Sequence, residues 1–382
     1  MSSASRPLKR ASGPSSDHGG AWASALAALA LALAAVPARA APAFEGVPAY
    51  QHVFVIIEEN KDYAQILDPA AAPNLVRLAA EFGNATQFTA EVHPSEANYV
   101  ALLGGDTFGI FDDDAFYCKA KSTQPFCTNS TAPHYRDHTA HARHLGDQLA
   151  DAHLSWKGYY EGLPEPGSLA VLAGDPTSDD GMSTAAVYAS KHSGFINFAD
   201  VQSDPHRADR IVGFDQLDKD LESGELANFA VIVPNECNEM HGLLGEGVPA
   251  DCQITNKAAL IKRGDAVAGE LVKRIQASPV WSAPGNAAIV ITFDESDDLS
   301  REGCCGVTPD APSNFGGGHI PTIVITNHGP RGVTDDQPCN HYCLLRTFED
   351  AFRVKGYLRH ARDTSKGVRA LTTLFAAPSP PG

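Results

Sequence analysis

The sequence predicts an α/β fold, a three-layer α/β/α sandwich around a mostly parallel central sheet, on three observations. Four short Val- and Ile-rich runs, at 52–57, Phe229–Val233, Ala287–Phe293 and Thr322–Thr326, lack the alternation of a strand with one wet face. Helical patterns fall between them, which is the layout of layered α/β proteins. Three of the runs lead into clusters of carboxylates, amides or histidines, and the fourth follows one. Open α/β sheets gather their ligands at such strand ends.

Taken along the chain, the first run leads into Glu58-Glu59-Asn60. A short helix follows over 74–82, with Pro73 and Asn74 at its start. The segment His93-Pro94-Ser95-Glu96-Ala97-Asn98-Tyr99 then opens another helix, which runs toward Gly104-Gly105. The second run leads into Pro234-Asn235-Glu236-Cys237-Asn238-Glu239-Met240-His241. A longer helix at 257–276 places Ala259, Leu260, Ala266, Val267, Leu271 and Ile275 among charges. The third run leads into Asp294-Glu295, the fourth follows Gly316-Gly317-Gly318-His319, and a last helix covers 344–352.

Composition narrows the function. The 382 residues are 43% hydrophobic, enough to bury a core, with 29 basic and 46 acidic side chains. Residues 1–40 hold four of the basic groups and one of the acidic, so the remainder carries a net charge of −20 and no basic run. A phosphate backbone repels such a chain, and nucleic acid is not an expected partner. Arg6, Lys9 and Arg10, the apolar stretch 21–36 and Ala38-Arg39-Ala40 form a secretory leader pattern. The expected organisation is a signal peptide at 1–40, one domain at 41–376 and a disordered Pro-rich tail at 377–382. The expected location is secreted, periplasmic or cell-envelope, with no stable membrane insertion after cleavage. Eight cysteines, all after the leader, fit disulfides in an exported chain, with Cys118–Cys127 and Cys237–Cys252 the natural local pairs.

Carboxylates at the ends of buried strands are costly unless paired or metal-bound, so Glu59-Asn60 and Asp294-Glu295 are candidate ligands for a divalent cation. Ser95 sits where a helix begins. That position suits either a simple N-cap or a nucleophile beside a phosphate held by the helix N-terminus. His241 and His319 adjoin strand ends and are candidate metal ligands or general acids. Among the other histidines, His134, His138, His141, His144 and His153 cluster in one segment that fits an exposed polar helix, with a metal site at His141 and His144 as the alternative, and Asp112-Asp113-Asp114 fits a solvated turn rather than a calcium loop. Asn84-Ala85-Thr86 and Asn129-Ser130-Thr131 match the glycosylation acceptor pattern.

In order, the segments HVFVIIEENKDY, HPSEANYVALLGGDTFG, SWKGYYEGLP, YASKHSGFINF, VPNECNEMHG, ITFDESDD, GGGHIPTIVIT and HYCLLRTFEDAF, spanning 52–352, resemble the phosphoesterase family of acid phosphatases and bacterial phospholipases C. That family lies in the alkaline phosphatase-like superfamily. The resemblance implies an alkaline phosphatase-like fold and a metal held by Glu59, Asn60, Ser95, Asp294 and Glu295, with Ser95 also attacking phosphorus. It places His241 and His319 where further ligands or phosphate contacts stand, and Asn98, one helical turn after Ser95, is a candidate phosphate donor. Glu295 replaces a histidine of many two-metal relatives, which implies a single-metal site. Glu239 stands where relatives of this group often carry Asp.

The expected function is an exported metal-dependent phosphomonoesterase acting on small phosphate esters through a Ser95 phosphoenzyme. A phosphodiesterase or phospholipase C using the same residues is the alternative, and a non-catalytic metal-stabilised surface protein the more distant one. Oxygen ligands suit Mg, Ca or Mn, and the two histidines would admit Zn or Fe. The oligomeric state is left open by the sequence.

Overall fold

A computed structural model describes residues 44–174, 186–245, 247–306 and 315–376. The expected leader at 1–40 and tail at 377–382 lie outside the described residues. The strands are β1 (His52–Glu58), β2 (Gly83–Ala85), β3 (Trp156–Tyr160), β4 (Leu172–Ala173), β5 (Tyr188–Ala189), β6 (Ile211–Val212), β7 (Phe229–Val233), β8 (Ala287–Phe293), β9 (Thr322–Thr326) and β10 (Val333–Asp335). Eight of them form one sheet in the order β10-β2-β9-β8-β1-β7-β3-β6, and β4 pairs with β5 apart from it. The four runs read as buried strands occupy its centre, and β1, β7, β8 and β9 are buried almost throughout.

All ladders in this sheet are parallel except the two made by β9, which runs antiparallel to β8 and β2. This reversal matters for the site. The entry loop of β9, with Gly316 to His319, therefore lies at the same edge as the exits of β1, β7 and β8. That edge collects Glu59, Asn60, the 234–241 loop, Asp294 and Glu295.

Helices cover both faces, for a reason visible in strand parity. Val53 pairs with Phe229, and the Phe229 ring meets Phe348 and Phe352, at the end of the helix His341–Ala351. Glu58, on the other face of β1, instead feels the charge of Asp265 in the helix Lys257–Ala277. The helix Pro73–Glu81 packs on this second helix. Pro73 occupies its first turn, and Asp265 accepts from Asn74 N at 3.2 Å and Leu75 N at 2.8 Å, satisfying donors that no local cap serves. Among the described residues no helix is long and apolar enough to cross a membrane.

Glu349, buried in the helix His341–Ala351, accepts from Leu358 N at 2.7 Å, and burial pushes its carboxyl up to about 8 from the usual 4.5. A group raised in the folded state favours folding fully below its unfolded pKa, and that contribution is lost as pH rises through the folded value. Glu349→Gln should therefore gain stability relative to the parent between pH 4.5 and 8, by at most about 1.4 kcal/mol per pH unit. Denaturant unfolding of both proteins across that range measures it. A difference that does not grow with pH would contradict the assignment.

Candidate active site

Ser95 begins the helix Glu96–Gly104 but does not cap it, because its side chain makes no cap hydrogen bond. The Glu96 N–H goes instead to Asp113 Oδ1 at 3.1 Å. Ser95 is 1% exposed, and its Oγ lies 3.2 Å from Glu59 Oε2 and 3.3 Å from Glu295 Oε1. The simpler N-cap role thus fails, and the hydroxyl faces carboxylates from two strand exits.

Asn60 completes this group. The side-chain amide atom facing the carboxylates lies 2.8 Å from Glu59 Oε2 and 2.9 and 3.0 Å from the two Asp294 oxygens. As nitrogen it donates to them; as oxygen it requires a cation among them. The Asn60 N–H also donates to Asp294 Oδ1 at 3.0 Å. Burial raises the pKa of Glu59 and of Asp294, and the neighbouring Asp294 charge adds to the effect on Glu59. Burial also pushes Glu295 up to about 7, although its hydrogen bond with His93 pulls the other way. Tyr99 Oη donates to Glu59 Oε1 at 2.6 Å, and His93 Nδ1 holds Glu295 Oε2 at 2.5 Å while its Nε2 meets Ser300 O. The structure thus brings Glu59, Asn60, Ser95, Asp294 and Glu295 together.

A second cluster shares Glu59. His192 and His241 each offer a ring nitrogen within 4.8 Å of a Glu59 oxygen and of one another. Glu239 and Glu236 stand behind them: His192 Nδ1 lies 2.7 Å from Glu239 Oε1, and His241 Nδ1 2.6 Å from Glu236 Oε2. Lys191 Nζ reaches Asp113 at 3.2 Å and His241 Nε2 at 3.5 Å. His241 was anticipated here; His192, Lys191, Glu236, Tyr99, His93 and Asp113 were not given roles. His192 belongs to a short 3-10 turn, Ser190–His192, after the two-residue strand β5, so no long buried run points to it.

Two anticipated residues are placed differently. Asn98 faces its own loop: its Oδ1 accepts from Glu91 N and Val92 N, both at 3.1 Å, and its Nδ2 donates to Val92 O at 2.9 Å. It braces the approach to Ser95 instead of offering a donor to phosphate, because helical spacing fixed its turn but not its partners. His319 stacks on Tyr63 at 4.5 Å and bonds Thr86 O at 3.0 Å, so its contacts lead away from the carboxylates.

The histidine-rich segment is not an exposed face throughout. His138 is buried between Glu96 Oε2 at 2.6 Å and Asp112 Oδ1 at 3.0 Å, and His144 is a buried N-cap that accepts from Gly146 N. The aspartate run is likewise built in: Asp112 holds His138, Asp113 holds Glu96 N, and Asp114 accepts from Thr128 N and Asn129 N. Asn84 is buried in β2, whereas Asn129 is exposed.

The disulfides Cys118–Cys127 and Cys237–Cys252 form as expected, alongside Cys304–Cys305 and Cys339–Cys343. Cys237–Cys252, separated by 15 residues, ties down the loop bearing Glu239 and His241. Replacing both cysteines with serine should cost about 3 kcal/mol in denaturant unfolding, the value for a loop of that length. An unchanged midpoint would show that the loop is held by other contacts.

A model of the phosphoesterase family matches residues 65–355. A phosphatidylinositol-3-phosphatase of Mycobacterium tuberculosis is 28% identical over 321 residues, covering 84% of this chain and 83% of that protein. An acid phosphatase of Aspergillus fumigatus is 30% identical over 309 residues, covering 79% of this chain but 54% of that protein, so the chain spans about half the fungal enzyme's length. A solved structure of an alkaline phosphatase superfamily protein from Vibrio parahaemolyticus aligns with a TM-score of 0.50 at 15% identity, over 84% of this chain and 71% of that one. It supports the fold. With the match covering most of its length and the mostly parallel sheet carrying the site at one edge, the chain belongs to the phosphoesterase family, hydrolases of phosphoric esters.

Proposed function

We propose that the protein is an exported, metal-dependent phosphomonoesterase with Ser95 as nucleophile, comprising one catalytic domain over 41–376 after a cleaved leader. The observation that carries this reading is the placement of Ser95 Oγ, turned away from its own helix and into carboxylates from β1 and β8. Glu59, Asn60, Ser95, Asp294 and Glu295 would hold a divalent cation. Their oxygen donors fit one, since three carboxylates and the Asn60 amide crowd a buried space that only a cation or a donor can relieve. When bound, the cation neutralises charge on the phosphoryl oxygens and eases ionisation of the hydroxyl. An all-oxygen set favours Mg, Ca or Mn.

The protein's own groups do the rest. Tyr99 and His93 each fix one carboxylate, leaving Glu59 Oε2 and Glu295 Oε1 toward Ser95. Ser95 Oγ attacks phosphorus in line, the bond to the leaving oxygen breaks, and a phosphoserine forms. Water then cleaves it, releasing phosphate and restoring the hydroxyl. Asn98 keeps the loop before Ser95 in place.

Small phosphate monoesters are the proposed substrates, and phosphoinositide headgroups join them through the mycobacterial relative. The leader pattern and the four disulfides support export. The test is hydrolysis of p-nitrophenyl phosphate against bis-p-nitrophenyl phosphate by the mature protein with divalent metals supplied. Preference for the monoester is expected; preference for the diester would move the protein to the phosphodiesterase or phospholipase C side.

A further inference from the structure

We propose that Lys191 is the side chain that receives the phosphoryl oxygens at this site, and that the Asp113 carboxylate competes with substrate for it. The inference deepens the Ser95 reading above and rests on it. What carries it is one carboxylate shared by two donors. Asp113 Oδ1 accepts from the Glu96 N–H at 3.1 Å, and Asp113 Oδ2 accepts from Lys191 Nζ at 3.2 Å. The first donor is the amide that follows the proposed nucleophile; the second comes from the turn Ser190–His192. Both are donors of the kind that hold phosphate oxygens.

Two lysines stand near the carboxylates, and they differ. Lys61 is buried and donates to Asn60 O at 2.8 Å and Met240 O at 3.0 Å, so backbone carbonyls hold it. Lys191 Nζ has three protons. Among the described residues it meets Asp113 and, at 3.5 Å, His241 Nε2, which leaves a proton for a further oxygen. The histidine sets the direction of the ammonium. His241 Nδ1 faces two acceptors, Glu236 Oε2 at 2.6 Å and Gly242 O at 2.8 Å, so it carries the ring proton and Nε2 accepts from Lys191. The Lys191 charge also reaches the oxygen cluster: it opposes the rise that burial imposes on Glu59 and Asp294.

Asp113 is the member of its run that faces the site. Asp112 holds His138, Asp114 accepts from Thr128 N and Asn129 N, and both are buried in the fold. The Asp113 side chain keeps 29% of its surface in solvent, so it has water to turn to when it releases Lys191. Its charge adds to the upward push that burial gives Glu295, which puts it beside the cluster that Ser95 faces. A carboxylate offers two oxygens on one atom, as a phosphoryl group does, and Asp113 therefore satisfies the donors such a group needs. A phosphoryl group bonded to Ser95 Oγ would take the same two donors and repel Asp113 from them. A phosphate brought among Glu59, Asp294 and Glu295 also needs fixed positive charge, which Lys191 supplies.

The experiment is binding of inorganic phosphate to the full mature chain in Mg²⁺, measured by calorimetry, with circular dichroism for fold and turnover of p-nitrophenyl phosphate alongside. Asp113→Asn keeps a carbonyl for the Glu96 N–H and removes the competing charge, so phosphate should bind about 10-fold more tightly. Lys191→Met should weaken phosphate by roughly 10- to 100-fold. In the Lys191→Met background, Asp113→Asn should gain less than it does in the parent, because the two residues act on one contact. An unchanged or weaker affinity in Asp113→Asn would overturn the competition and make Asp113 a brace for Lys191. An unchanged affinity in Lys191→Met would remove Lys191 from the phosphoryl group. If neither the parent nor Asp113→Asn binds phosphate while p-nitrophenyl phosphate is still turned over, this inference falls alone. Without turnover, the phosphomonoesterase reading falls with it.

Discussion

Replacing Ser95 with alanine is expected to lower kcat on p-nitrophenyl phosphate by at least about 10³-fold while leaving a folded protein. The loss is large because, in the proposed mechanism, the Ser95 hydroxyl is the atom that bonds phosphorus. It corresponds to about 4 kcal/mol of transition-state stabilisation. The fold should survive because Ser95 Oγ does not cap the helix Glu96–Gly104; the cost is limited to its contacts with Glu59 and Glu295. The informative comparison is acid-quenched enzyme after incubation with labelled substrate. The parent should retain phosphate covalently and Ser95→Ala should not. Equal labelling of the two, or full activity of the variant, would remove Ser95 from the chemistry.

The sequence exposed the centre of the sheet because burial on both faces leaves a plain signature: β1, β7, β8 and β9 are runs of Val, Ile, Ala, Phe and Thr. It did not expose the margins. β2, β6 and β10 have two or three residues each, and β3 is Trp-Lys-Gly-Tyr-Tyr, which carries no aliphatic run. Nor does a run of apolar residues reveal its direction. β9 runs backward, and only that reversal explains why a loop preceding it lies at the same edge as loops following its neighbours.

The same distinction applies to the site. Glu59, Asn60, Asp294 and Glu295 were legible because a carboxylate or amide at the end of a buried strand is conspicuous. Ser95 was ambiguous until its hydroxyl was seen to ignore the helix. Asn98 and His319 had suitable chemistry and neighbourhood, but their hydrogen bonds run to backbone at 91–92 and to Thr86. His192 was missed because its importance comes from contacts with Glu59 and Glu239, 133 and 47 residues away, and no local pattern encodes those.

Asp294→Asn is expected to separate stability from activity. Without a cation, Glu59, Asp294 and Glu295 are buried together, and burial works against the charge of each. Asparagine keeps the shape of Asp294 and can still accept from the Asn60 N–H with its carbonyl, but it removes one charge from this group. With EDTA present, Asp294→Asn should therefore unfold at a higher temperature than the parent, a gain of about 1–3 kcal/mol. Saturating cation should reverse the order. A ligand at 100 times its dissociation constant adds about 2.7 kcal/mol to the state that binds it, and the parent binds more tightly. Activity should fall at least about 100-fold in the variant at any metal concentration, because a carboxylate whose burial works against the metal-free fold is, in the proposed mechanism, one the reaction needs. Thermal unfolding of both proteins, with EDTA and with Mg²⁺, Mn²⁺ or Ca²⁺, decides the matter. If the parent is the more stable without metal, or gains nothing from any of the three ions, the carboxylate cluster is a structural network and not a cation site.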